Sequence, residues 1–377
     1  MSETADALVI GGGLAGGAVA AELARAGRSV TLLEREAGPH HKVCGEFLSR
    51  EALLYLSALG LDPLAFGAAR IHAVRLLSGR RTVTVDLPFP ALSVSRYVLD
   101  EALLALARRA GVDIRRAARA QSLEEGDGAW TTRLASGETL RGKAAFLATG
   151  KHDLRGWARP DGLQADLIGF KMHVRLSPAA AAAITGYVEL TLFRGGYAGL
   201  EPVEGGVANL CLLVRRGRYA ELGQTWDGLL AAIGRDCPIF AERMDGAEPC
   251  WDRPLAVSSV PYGYVRRRAD GLWRLGDQAA VIPSFAGDGM SIALHSARLA
   301  ADCFLKGAPA DVYQQRLAAD VGLSVRLATL LSMASVHPIG GALIGRGAVV
   351  LPGLMATVAA ATRIPSGALR RAGLLPV

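Results

Sequence analysis

With 377 residues, 51% of them apolar, 20% charged and 45 glycines, the chain is long enough to bury about three quarters of its unfolded surface. Disorder is excluded as its main state, and the length predicts about two domains. The net charge of +7 comes from 37 arginines and only 5 lysines, scattered along the chain, so the clustered basic face of a nucleic-acid binder is excluded. The five cysteines, Cys44, Cys211, Cys237, Cys250 and Cys303, are odd in number and far apart. They show neither CxxC nor Cys/His ligand spacing, so no disulfide framework and no metal site is expected.

Glu3 and Asp6 stand where a secretory signal would be basic, so no export is expected and the cytoplasm is the expected compartment. Asp6–Ile10 reads as a buried parallel strand, followed by a glycine-rich turn, an Ala-rich helix to Ala26 and a second strand, Ser29–Glu34. Helical spacing of Leu99, Leu103, Leu104 and Ala107 predicts a helix over Tyr97–Ala110. Ser136-Gly137 predicts a hairpin between Thr131–Ala135 and Glu138–Leu140, with a separate buried strand at Ala144–Ala148. From about 165 to 264 the alternation is that of an antiparallel sheet. Within it Phe170, Met172, Val174 and Leu176 form a core face, and Lys171, His173 and Arg175 form a face expected to be wet. From 306 the pattern is helical and apolar, broken by His337-Pro338, Gly340-Gly341, Arg346 and Pro352 into runs shorter than a membrane span.

Gly11-x-Gly13-x-x-Gly16 sits between the first strand and its helix, where missing side chains let the backbone approach a pyrophosphate at the helix N-terminus. Leu14 and Ala15 fill the loop, and Glu34, 23 residues after Gly11 and followed by Arg35, ends the second strand where a carboxylate binds an adenosine ribose. The run Gly276-Asp277 and then Gly287-Asp288-Gly289-Met290 points to a flavin, because a strand-end carboxylate reaches ribityl hydroxyls and helix-start N–H groups stabilise a reduced ring.

These pieces, with Lys42-Val-Cys-Gly-Glu46, Ser95-Arg96 and Asp100, and Ala148-Thr-Gly150, resemble an FAD-dependent family. It joins para-hydroxybenzoate-hydroxylase-type monooxygenases, geranylgeranyl reductases and flavin-dependent halogenases. The resemblance runs to about residue 305. It implies a mixed α/β (α+β) fold: a discontinuous Rossmann-like FAD-binding domain (1–75, 91–155, 265–305), an antiparallel-sheet substrate domain (76–90, 156–264) and a C-terminal helical cap (306–377). It implies that Gly11, Gly13, Leu14, Ala15, Gly16, Glu34 and Arg35 hold the adenosine end, and that Lys42, Cys44 and Arg96 lie near the pyrophosphate and ribityl chain. Gly150, Gly276, Asp277, Gly287, Asp288, Gly289 and Met290 would complete the FAD site. Gly150–Arg155 stands where hydroxylases carry an Ala-Asp-Gly signature, and Ser284 replaces a second proline.

Gly196–Pro202 resembles the tyrosine-tryptophan-phenylalanine-proline strand of geranylgeranyl reductases, with Gly199 and Glu201 in place of its Trp and Phe. Cys44, Glu46, Tyr197 and Glu201 are the candidate catalytic residues. The leading expectation is an NAD(P)H-dependent monooxygenase of a hydrophobic aromatic or polyketide-type substrate. The alternative is a geranylgeranyl-reductase-like enzyme that reduces isolated C=C bonds of a polyprenyl or polyene substrate, and a non-catalytic FAD-binding protein is the third. NAD(P)H is expected as a transient reductant, since one dinucleotide fingerprint serves the FAD. A hydrophobic small molecule and peripheral contact with a membrane are the expected partners.

Overall fold

The computed structural model describes residues 4–337, 340, 341, 344 and 361–375. In chain order the strands and helices are β1 (Ala5–Ile10), α1 (Leu14–Arg25), β2 (Val30–Leu33), β3 (Phe47–Leu48), α2 (Arg50–Ala58), β4 (Ala69–Ser78), β5 (Arg81–Ser93), α3 (Arg96–Arg109), β6 (Asp113–Arg115), β7 (Ala120–Gly126), β8 (Ala129–Leu134) and β9 (Thr139–Leu147). There follow β10 (Leu167–Arg175), α4 (Pro178–Ile184), β11 (Tyr187–Phe193), β12 (Gly196–Pro202), β13 (Ala208–Arg215), α5 (Arg216–Glu221), α6 (Trp226–Asp236), α7 (Pro238–Met244), β14 (Glu248–Pro249), β15 (Leu255–Ser258), β16 (Trp273–Arg274), α8 (Gly289–Leu305) and α9 (Ala310–Val336). Ser366–Arg371 forms α10.

The first sheet runs β6-β2-β1-β9-β8-β7, with β16 also on β9. Its β6, β2, β1, β9 and β16 pair in parallel, while β7–β8–β9 is antiparallel. β1 is apolar throughout because both its faces are covered. Ala7 and Val9 pack towards α1, α3 and α8, whereas Leu8 and Ile10 join Leu123 and Trp130 on the other side. Glu138–Leu140 and Ala144–Leu147, expected as separate strands, are one strand, because the hairpin arm continues straight into the parallel pairing with β1.

The second sheet runs β14-β10-β13-β12-β11-β4-β5-β3, with β15 on β10. All its pairs are antiparallel except β4–β11. The 76–90 insertion lies inside the β4–β5 hairpin. One face of the sheet packs on α6 and α7 through residues such as Phe170, Leu212, Ile233 and Phe240. The opposite face, with Leu76, Leu192 and Tyr197, meets Tyr262, Val281 and Val336.

The expected wet face of β10 is corrected here. The strand lies inside the sheet, and Lys171 and His173 are 0% and 3% exposed; only Arg175 of the three is exposed. The C-terminal expectation of short runs is also revised. α9 is a single 27-residue helix, long and apolar enough by length and composition to cross a membrane. Tyr313, Leu317, Val321 and Val325 nevertheless fix one side of it in the core. Arg346 and Pro352, and most of the Gly340–Gly345 run, lie outside the described residues.

Candidate active site

The glycine loop is tight for steric reasons. A Cβ on Gly11, whose φ is +109°, would lie 2.4 Å from the Ala148 carbonyl oxygen, and one on Gly16 would lie 1.8 Å from that of Gly11. β1, α1 and β9 therefore converge only with glycine at these two positions. Glu34 is buried at the end of β2, accepting from the N–H groups of Gly12 (2.9 Å) and Glu36 (3.0 Å). Arg35 points outward and pairs with Glu36. Gly13 caps α1, and a Cβ there would lie 3.2 Å from the Arg96 guanidinium and 3.6 Å from Lys42 Nζ. Both cations are held by Asp100: Lys42 Nζ at 2.7 Å, Arg96 Nε at 2.7 Å and Nη2 at 2.9 Å. Burial works to raise the Asp100 carboxyl, but Arg96 and Lys42 outweigh it and hold it below its ordinary range. Two fixed cations thus flank the free N–H groups at the start of α1, an arrangement that suits a pyrophosphate.

A cavity of about 550 Å³ opens from this loop. Gly13, Leu14, Ala15, Arg96 and Gly150 line one end, with Gly276, Asp277, Gly287, Gly289 and Met290 beside them. The Asp277 carboxylate has no hydrogen-bond partner among the described residues; only its backbone carbonyl is engaged, by Arg159 Nη1 at 2.8 Å. Asp288 departs from the expected cofactor set. Its carboxylate is fully buried away from the cavity lining, where it accepts from Arg363 (2.7 Å) and Ser49 (3.3 Å). Burial, only partly offset by Arg363, pushes it up to about 6. Its backbone position between two glycines keeps the loop at the cavity, but its side chain anchors the segment after α9.

The other end of the cavity is apolar, lined by Val74, Leu76, Val188, Leu190, Tyr262 and Phe285, among others. On β12, Tyr197, Gly199 and Glu201 face this space, while Ala198 and Leu200 join the core behind. The Tyr197 hydroxyl is already occupied: it meets Ser284 Oγ at 2.9 Å and accepts from Phe285 N–H at 2.9 Å. It holds the turn that precedes Gly287, and Ser284 finds its role there. Cys44 is half-buried in the lining, its sulfur 3.4 Å from the Glu46 N–H.

Glu46 is 0% exposed and has φ +58°, a left-handed backbone unusual for a residue with a side chain. Lys171 Nζ and the Arg96 N–H (2.8 Å) bind its Oε1, and His173 Nε2 lies 2.8 Å from its Oε2. Burial alone would raise this carboxyl; Lys171 and His173 reverse that and hold it down. Lys171 and His173 were hidden from pattern reading because alternating charge on a strand usually means solvent. His41, Glu46 and His173 bring ligand-type atoms within 4.8 Å of one another, but the Lys171 ammonium already compensates that carboxylate. Burial, then His173 and Lys171, press His41 down to about 4.

Residues 4–149 match the family model described as an FAD binding domain. The chain is an FAD-dependent oxidoreductase. Along 93% of its length this flavoprotein is similar to the menaquinone reductase of Mycolicibacterium smegmatis, 26% identical over 382 residues that cover 90% of that protein. The digeranylgeranylglycerophospholipid reductase 2 of Methanosphaera stadtmanae is 28% identical over 323 residues, 78% of this chain and 76% of that one. Among solved structures, PqsL of Pseudomonas aeruginosa, described as a probable FAD-dependent monooxygenase, superposes with a TM-score of 0.73 at 18% identity. That match covers 89% of this chain and 97% of PqsL, and it shows a shared fold.

Proposed function

We propose that this flavoprotein reduces isolated C=C bonds in a long apolar chain of polyprenyl type. The reading rests on one observation above the others: the apolar cavity is continuous with the glycine loop, so a greasy chain and a flavin can share one space. Whole-length similarity to proteins named menaquinone reductase and lipid reductase supports it. Gly199 also leaves room in the lining, since a Cβ there would have no neighbour nearer than 3.6 Å.

FAD fits the residues present. The adenosine end belongs at Glu34, the pyrophosphate at Gly13, Lys42 and Arg96, and the ribityl chain at Asp277, whose carboxylate has no partner among the described residues. The Gly287–Met290 backbone, closed at Gly287 by Phe47, would bound the ring. Bound flavin supplies hydride chemistry. The protein's own part is to hold the chain, exclude water and place protons. NAD(P)H arriving transiently is the proposed reductant. A reducing cytoplasmic setting is consistent with the free cysteines.

α9 offers a route for a lipid substrate. Leu323, Leu330 and Met333 are exposed on one side of it, and Ala328 and Leu331 of the same helix line the cavity. We read this as a face for peripheral contact with a bilayer.

The reaction is tested by incubating the reduced holoprotein without oxygen with a menaquinone or a polyprenyl lipid and weighing the product. A gain of two hydrogens is expected. Oxygen incorporation into a hydrophobic phenol in air, with no saturation under anaerobic conditions, would replace this reading by a monooxygenase. Co-sedimentation with anionic vesicles tests the α9 face and is expected to fall with Leu330→Glu.

A further inference from the structure

Two carboxyl groups line this cavity, and their surroundings differ in kind. Both oxygens of Glu46 are claimed, one by Lys171 and the Arg96 N–H, the other by His173. Glu201, 3% exposed, has a single neutral partner: its Oε1 accepts from Asn209 Nδ2 at 3.2 Å. Its second oxygen has no hydrogen-bond partner among the described residues.

The strand register explains the arrangement. His173 on β10 lies opposite Asn209 on β13, and Asn209 lies opposite Glu201 on β12. Asn209 therefore separates the charged group from the second carboxyl, and its amide also donates to the Cys44 carbonyl at 3.2 Å. This ties Glu201 to the Cys44–Glu46 turn that borders the same cavity.

We propose that Glu201 is the proton donor of the active site, delivering a proton to the alkene carbon that does not receive the hydride. This rests on the C=C reduction proposed above. Saturating the bond consumes one hydride, supplied by reduced flavin, and one proton. The Glu201 O–H bond breaks as the new C–H bond forms, the π electrons become the two C–H bonds together with the hydride pair, and the remaining carboxylate is reprotonated from water.

The electrostatics agree with this assignment. Burial first, and then the nearby charge of Glu46, push Glu201 up to about 8 against the pull of Asn209 and Lys171. At neutral pH Glu201 keeps its proton while Glu46 stays ionised, and two carboxyls driven apart in this way mark an acid and a fixed charge. The Tyr197 hydroxyl, on the same strand face, is committed to Ser284 and Phe285 and holds the turn.

The test uses full-length holoprotein with Glu201→Gln and Glu201→Asp. Infrared difference spectroscopy, independent of turnover, should find in the wild type a protonated-carboxyl band that disappears as pH rises through about 8 and is missing from Glu201→Gln. FAD affinity should stay within about threefold. Saturation of a polyprenyl lipid should fall about 10²- to 10⁴-fold in Glu201→Gln, with partial recovery in Glu201→Asp and loss of the alkaline limb of the wild-type pH profile. Wild-type turnover in Glu201→Gln, or absence of the band, overturns the assignment and leaves the proposed reaction standing. A wild type that carries the band but saturates no chain overturns the reaction, and the donor role falls with it.

Discussion

Lys171 and Glu46, 125 residues apart in sequence, form an ion pair in which both side chains are 0% exposed. Such a pair adds little net stability once desolvation is counted, but breaking it leaves a charge buried alone. Lys171→Met should therefore cost about 3–5 kcal/mol, read as a fall in the urea midpoint. Lys171→Met combined with Glu46→Gln should recover most of it. The pH dependence follows from the depressed Glu46 carboxyl. Its contribution is present above the ordinary value of 4.5 and is lost as pH falls through the lower value of the folded state. The gap between wild type and Lys171→Met should accordingly shrink in acid.

Gly16→Ala should give a protein that purifies with little flavin. The new methyl would meet the Gly11 carbonyl oxygen at 1.8 Å, so the loop and the start of α1 must separate. The absorbance ratio of flavin to protein measures this. Gly199→Ala, with 3.6 Å to its nearest neighbour, should keep its colour.

Asp277→Ala should weaken FAD binding by about 10- to 100-fold, as expected for loss of a charge-assisted bond worth about 1.5–3 kcal/mol. Flavin fluorescence titration of the apoprotein reads it. Because that carboxylate supports nothing else in the protein, the melting temperature of the apo form should not move.

Gly199→Trp should fill the cavity beside Leu190 and Cys211. KM for long polyprenyl chains should rise by about tenfold or more, while a short-chain analogue keeps its kcat. An indole in a hydrophobic pocket excludes volume without touching the chemistry.

The FAD half of the site was legible because its signals are local: a strand, a glycine loop, a helix and Glu34 follow one another within a few turns of chain. The Tyr197 to Glu201 alternation was also readable. Glu46's partners were not. Lys171 and His173 read as a wet face because alternation shows which residues share a face, but not whether that face meets water or a distant carboxylate. Asp288 misled in the opposite way, since a loop aimed at the cavity carries a side chain aimed elsewhere. α9 was expected in short pieces because its breakers were counted, whereas the stretch before His337 is unbroken.

The parallel pairing of β4 with β11 also bears on how the chain is made. The β4–β5 hairpin ends at Ser93, and its partner β11 begins at Tyr187, so roughly a hundred residues must be synthesised before that edge is covered. A nascent chain at this stage displays an unpaired strand beside a newly formed glycine loop, a state open to wrong pairing. Fragments ending before residue 187 should aggregate even though they contain the whole of the 4–149 match.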